Sequence, residues 1–83
     1  MKKLNTFTLE NKNDKTIKTV TILTTNATQL TNLENALANN NLTFTKDADA
    51  LTITIEWNST NDLTFTNNGT TTAYISGVEI VYE

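Results

Sequence analysis

Apolar positions along the chain follow two periods. From Leu4 to Glu10, and again from Thr16 to Thr24, apolar or β-branched residues alternate with polar ones, the period of two that a half-buried strand requires. Asn11-Lys12-Asn13-Asp14-Lys15 separates these stretches and is rich in turn formers, so the pattern predicts an N-terminal hairpin. Phe7 and Leu9 share a face of the first strand. In the second, Val20 and Ile22 share one face while Ile17 and Leu23 fall on the other, which predicts a central strand covered on both sides.

Helical periodicity takes over between Ala27 and Ala38, where Ala27, Leu30, Leu33 and Leu37 line up as one apolar stripe. Asn26 is placed to cap the helix, and Gln29, three residues on, to reach back as in a capping box. Asn39-Asn40-Asn41 supplies residues that tolerate the left-handed conformation and so a stop. The outward positions, Thr28, Thr31, Asn32, Glu34 and Asn35, include poor helix formers, so the helix depends on docking rather than on its own propensity.

The period then returns to two. Leu42 and Phe44 predict a short strand, Lys46-Asp47-Ala48-Asp49 a turn, and Leu51, Ile53, Ile55 and Trp57 a long central strand with Trp57 in the core. Leu63 and Phe65 predict a further strand. Asn68-Gly69 predicts a type I′ hairpin, which needs positive φ at both central residues, leading into a last strand from Thr70 to Tyr82. The apolar set of that strand shifts at Gly77, the signature of a β-bulge. The expectation is a single α+β domain over residues 1–83: a mostly antiparallel sheet with one amphipathic helix on one face, in the order ββαββββ.

Composition narrows the chemistry. The chain has no His, Cys, Pro or Arg, so it has no imidazole base, thiol nucleophile or usual zinc ligand. Asp47 and Asp49 lie in one loop, with Glu56 and Asp62 as neighbours, but the ligand spacing and the Gly of a calcium loop are missing. Glu56 and Glu79 would need a cleft to act as a glycosidase pair, and a domain of this size has little room for one. No enzyme activity, cofactor or metal is expected. A net charge of −3 without Arg opposes nucleic-acid binding, and Lys2, Lys3, Lys12, Lys15 and Lys18 gather instead at a solvated N-terminal end.

Thr-x-Thr occurs six times, a pattern that on a flat face could meet ice or a polysaccharide. Nineteen Thr in 83 positions give about four such pairs by chance, and strand preference adds more, so the excess is read as composition. The four Asn-x-Ser/Thr sequons, at Asn26, Asn41, Asn58 and Asn68, are likewise near the number that thirteen Asn would produce. Met1-Lys2-Lys3-Leu4 is followed by polar residues rather than a signal-peptide core, and no stretch approaches membrane-spanning length. The expected setting is a bacterial cytoplasm, with an extracellular or virion location as the alternative.

What remains is work done by a surface. The expectation is a small non-enzymatic binding or inhibitor protein acting by protein–protein contact through a sheet edge or face, with Tyr82 and Tyr74 as candidate contact residues and a homodimer through an edge strand as one form. In size and acidity the chain is similar to phage inhibitors of bacterial immunity such as anti-CRISPR proteins, and its Lys-only, Asn-rich usage is what an AT-rich coding sequence produces. The alternatives are a structural or carbohydrate-binding module of a phage virion or bacterial surface protein, and an artificial sequence without biological function.

Overall fold

In the computed structural model, which describes residues 1–2 and 4–83, six strands and one helix follow in the order ββαββββ, an α+β fold built on antiparallel pairing. The strands are β1 (Thr6–Leu9), β2 (Ile17–Leu23), β3 (Thr43–Asp47), β4 (Thr52–Ser59), β5 (Leu63–Thr66) and β6 (Gly77–Tyr82), with α1 (Ala27–Leu37) between β2 and β3. Lys3, one of the N-terminal lysines, lies outside the described residues.

The strands divide into two sheets. Four form one sheet in the order β3-β4-β2-β6, so β2 and β4 are central, as their patterns predict. β1 and β5 form a separate pair, with Phe7 opposite Phe65 and Leu9 opposite Leu63. The expected β1–β2 hairpin therefore does not form. Its turn-rich segment is a crossing between sheets, and β1 instead pairs with β5, where the Phe7 and Phe65 rings stack at a centroid distance of 4.9 Å. That stacking rewards the long-range partner in a way that the near one, β2, cannot match once it is sandwiched between β4 and β6.

Two glycine readings also change. Gly69 has no positive φ and turns no hairpin: β5 and β6 belong to different sheets. A Cβ at Gly69 would sit 3.1 Å from Asn67 Oδ1 and 3.4 Å from the backbone of Ala36, so the residue serves a close approach to the helix rather than a turn. Gly77 opens β6 instead of interrupting a longer strand, and residues 70–76 lie outside any strand. The register shift lies elsewhere, between Ile17 and Thr19 of β2, against both neighbouring strands. This bulge carries Ile17 onto the same side as Val20 and Ile22, and all three are fully buried. β2 is thus covered on one face only, with Leu23 half-exposed on the other.

One cluster joins the two sheets and the helix: Ile17, Val20 and Ile22 from β2, Ile53 and Ile55 from β4, Leu63 and Phe65 from β5, and Leu30, Leu33, Ala36 and Leu37 from α1. Ala36 takes the buried place expected of Ala27, which is exposed in the first turn. Each buried leucine of α1 contributes about 2 kcal/mol of burial. Trp57 is half-buried against the rim of the cluster, and its indole N–H donates to the Asn61 carbonyl at 2.9 Å.

Candidate functional site

The amides that looked like composition hold the chain path leading into β6. Asn26 caps α1, accepting from the Gln29 N–H at 2.9 Å. Gln29 does not complete the capping box: its Oε1 accepts from the Tyr74 N–H at 2.9 Å. Asn32 Nδ2 donates to the Thr72 carbonyl at 3.1 Å, and Asn68 Nδ2 to the Ala38 carbonyl at 2.8 Å. Segment 66–74 is therefore tied to the helix by side-chain amides along its length. Asn67, fully buried, donates to the Met1 and Thr71 carbonyls and accepts from the Gly69 N–H at 2.8 Å, so its burial leaves no polar atom unsatisfied. Asn39 and Asn41 take the left-handed φ expected after the helix.

The tied segment delivers the chain to β2, where the Ser76 N–H donates to the Leu23 carbonyl at 2.8 Å and β6 begins. From there Gly77 to Tyr82 pairs with Leu23 to Ile17 along its whole length. β6 ends the sheet, and its far side makes no backbone bond among the described residues. An edge strand presents a row of free N–H and C=O groups, a template for another strand.

The sheet ends differ in how that template is guarded. In β3, Lys46 stands opposite the buried Ile53 and so projects on the core side, where its Nζ lies 3.3 Å from Glu34 Oε1 on α1. An inward-projecting charge at an edge opposes addition of a further strand. At the last residue of β5, Asn40 takes a strand's place: Oδ1 accepts from the Thr66 N–H at 3.1 Å and Nδ2 donates to the Thr66 carbonyl at 2.9 Å. β6 has no lysine, proline or bulge of its own; the shift in its register against β2 belongs to β2.

Exposed apolar surface gathers there too. Four large apolar side chains are markedly exposed among the described residues, and three fall at or just before β6: Tyr74 at 65%, Val81 at 50% and Val78 at 37%. Tyr74, a sequence candidate, stands in the tied segment ahead of the strand. Tyr82, the other candidate, is half-buried at the far end of β6, with its ring against the core cluster and its hydroxyl accepting from Asn13 Nδ2 at 3.0 Å. Tyr74 thus lies ahead of β6, outside any strand, and Tyr82 at its far end, eight positions on in sequence.

The sheet face turned away from the helix carries Thr19 and Thr21 of β2, Thr43 and Thr45 of β3, and Thr52 and Thr54 of β4. One full row exists, Thr45-Thr54-Thr21, in which the Thr21 and Thr54 hydroxyls bond to each other at 3.0 Å. Asp47 and Glu56 interrupt the adjacent rows. Glu56 and Glu79 sit two strands apart in different rows of this open face, roughly 10 Å or more from each other. Asp47 and Asp62 are occupied by turns, Asp47 Oδ1 accepting from the Asp49 and Ala50 N–H groups and Asp62 Oδ1 from the Asn11 N–H. Among the described residues, no group of three or more acidic side chains is placed to hold a metal, no pocket opens, and no helix is long and apolar enough to cross a membrane. Comparison with protein-family models, with curated proteins and with solved structures gave no match.

Proposed function

We propose that the protein is a small non-enzymatic binding domain of the inhibitor kind that takes up a segment of a protein partner as an added strand along β6. The observation that carries this reading is the asymmetry between the two ends of the four-stranded sheet: β6 combines free backbone groups with exposed Val78 and Val81, while Lys46 projects on the core side of β3. Backbone bonds supply affinity in such a mode, and alternate side chains supply selectivity. The acidic charge and small size favour a phage inhibitor of a bacterial defence system as the setting. A sugar-stacking role is less well supported, because Trp57 packs on the core rim with its N–H engaged.

The test compares capture of proteins from lysates of low-GC bacteria by the wild-type chain, by Val81→Lys on β6 and by Thr45→Lys on β3. Both positions are exposed, so both variants keep the fold within about 0.5 kcal/mol. Capture of one protein by wild type and Thr45→Lys, with loss in Val81→Lys, is the expected result. Equal capture by all three would remove β6 from the reading, and capture of nothing would count against protein binding altogether.

A further inference from the structure

Resting on the β6 reading, we propose that the strand accepted there alternates apolar with basic side chains: the apolar set lies beside Val78, Ile80 and Tyr82, and lysine or arginine lies beside Glu79. The alternation follows from the pleat. Val78, Ile80 and Tyr82 stand opposite Ile22, Val20 and Ile17, the buried face of β2, so a strand added outside β6 extends that apolar surface on the same side. Its other side joins the open face at Glu79, which stands opposite Thr21.

The open face is acidic. Glu56 and Glu79 project from it, and Glu83 follows directly on β6. Lys18, in the β2 bulge, is the one cation in β2, β4 and β6. The ion pairs among the described residues are Lys12 with Glu10 and Lys46 with Glu34, so neither Glu56 nor Glu79 is neutralised by one. A cation on the incoming strand would supply the missing partner, because opposite charges across neighbouring strands attract and like charges repel.

The same rule disfavours a second copy of the chain. Antiparallel pairing of two β6 strands in one continuous sheet must set residues of the same face opposite each other. The central registers that do so place either Glu79 opposite Glu79, or Ile80 opposite Ile80 with Glu79 opposite Val81. Neither offers a cation to Glu79, and each copy carries a net charge of −3. A foreign basic strand meets both requirements.

The probes are two blocked eight-residue peptides, one alternating valine with lysine and the other valine with glutamate. They are titrated into the full chain while backbone amide shifts are followed by NMR at low salt. The lysine peptide is expected to shift the amides of Gly77–Tyr82 and to bind about tenfold more tightly than the glutamate peptide, from attraction in one case and repulsion in the other. In Glu79→Lys, an exposed substitution, that order is expected to reverse. Equal binding of both peptides at β6 would overturn the charge inference and leave the edge reading standing. Shifts confined to other strands, or none, would overturn both. A dimer in sedimentation with its β6 amides protected from exchange would make the second copy the occupant and overturn the basic strand.

Discussion

β3 and β6 end the same sheet, yet they face the same hazard unequally. β3 spends one of its five positions on Lys46, a charge on the apolar side of the sheet, held in place by Glu34 from the helix. β6 has six positions and none of that kind; its one charge, Glu79, points to the open face and stands between Val78 and Ile80. An edge left unguarded in a sheet whose other end is guarded is not explained by core packing: Ile80 and Tyr82 of β6 pack against the core cluster, but the backbone groups on its outer side bond to nothing among the described residues. The difference teaches that an inward charge separates the two ends: adding a strand at β3 would have to accommodate Lys46 on the apolar side, and adding one at β6 would meet no such obstacle.

The comparison presumes that both ends belong to one cooperative unit, and the largest expected effect tests that. Leu33 is fully buried at the centre of the α1 face that joins both sheets. Leu33→Asp buries a charge among Leu and Ile side chains and is expected to cost about 4 kcal/mol or more, comparable to the whole stability of a domain this size. Hydrogen exchange should then show β3 and β6 losing protection together. Survival of protection in either strand alone would mean that the two edges are stabilised separately and cannot be compared.

A smaller effect is expected from Asn40→Ala, which frees the outer backbone groups of Thr66 at the end of β5. The substitution strands the Thr66 N–H and carbonyl, together with a bond to the Ala36 carbonyl, and is expected to cost about 1–3 kcal/mol in denaturant unfolding. If the amide acts as a surrogate strand, Asn40→Asp should be worse than a neutral loss, because the acid keeps the acceptor for the Thr66 N–H but sets an oxygen against the Thr66 carbonyl. Equal stability of wild type and Asn40→Ala would show that the amide bonds to Thr66 do not hold the end of β5.

Asn40 also marks where sequence reasoning stops. Local signals are legible: the alternation through Ile53 and Ile55, the Leu30-Leu33-Leu37 stripe and the Asn26 cap each depend on neighbours a few residues away, and each is realised. Pairing is not local. Whether β1 joins β2 or β5 turns on the stacking of Phe7 with Phe65, 58 positions apart, and a turn-rich segment 11–15 fits a hairpin and a crossing equally well. The bulge at Lys18 is invisible for a related reason. Ile17 and Val20 are an odd number of positions apart, which alternation assigns to opposite faces, and only a register shift against both neighbours puts them on one. The sequence expectation names an edge with Tyr74 and Tyr82, but which strands are edges follows from pairing and could not be read before it. The amide bonds of Asn32, Asn40, Asn67 and Asn68 reach across the fold, so a count of thirteen Asn conceals them.

Removing the guard from β3 should make it resemble β6. Lys46→Val gives up an ion pair whose side chains are more than a third exposed, worth about 0–1 kcal/mol, and gains a residue that suits a strand, so little change in unfolding is expected. What should change is binding: the alternating valine–lysine peptide is expected to shift amides of Thr43–Asp47 in the variant and not in wild type. Failure of the variant to acquire any binding at β3 would mean that Lys46 is not what keeps that edge single.

The smallest effect on stability belongs to Glu79→Val, and it gives the finest reading of the comparison. Glu79 is exposed, stands opposite Thr21 and makes no ion pair among the described residues, so its loss is expected to alter unfolding by no more than about 0.5 kcal/mol. The variant strand carries apolar residues at every position from 78 to 82, and the like-charge term against a second β6 disappears. Concentration-dependent dimers are then expected in sedimentation, with amide protection gained in β6 and not in β3, and adding Val81→Lys in the same chain should abolish them. If Glu79→Val stays monomeric at the highest concentrations reached, charge is not what keeps β6 from its own kind, and strand geometry rather than Glu79 would have to account for its being free.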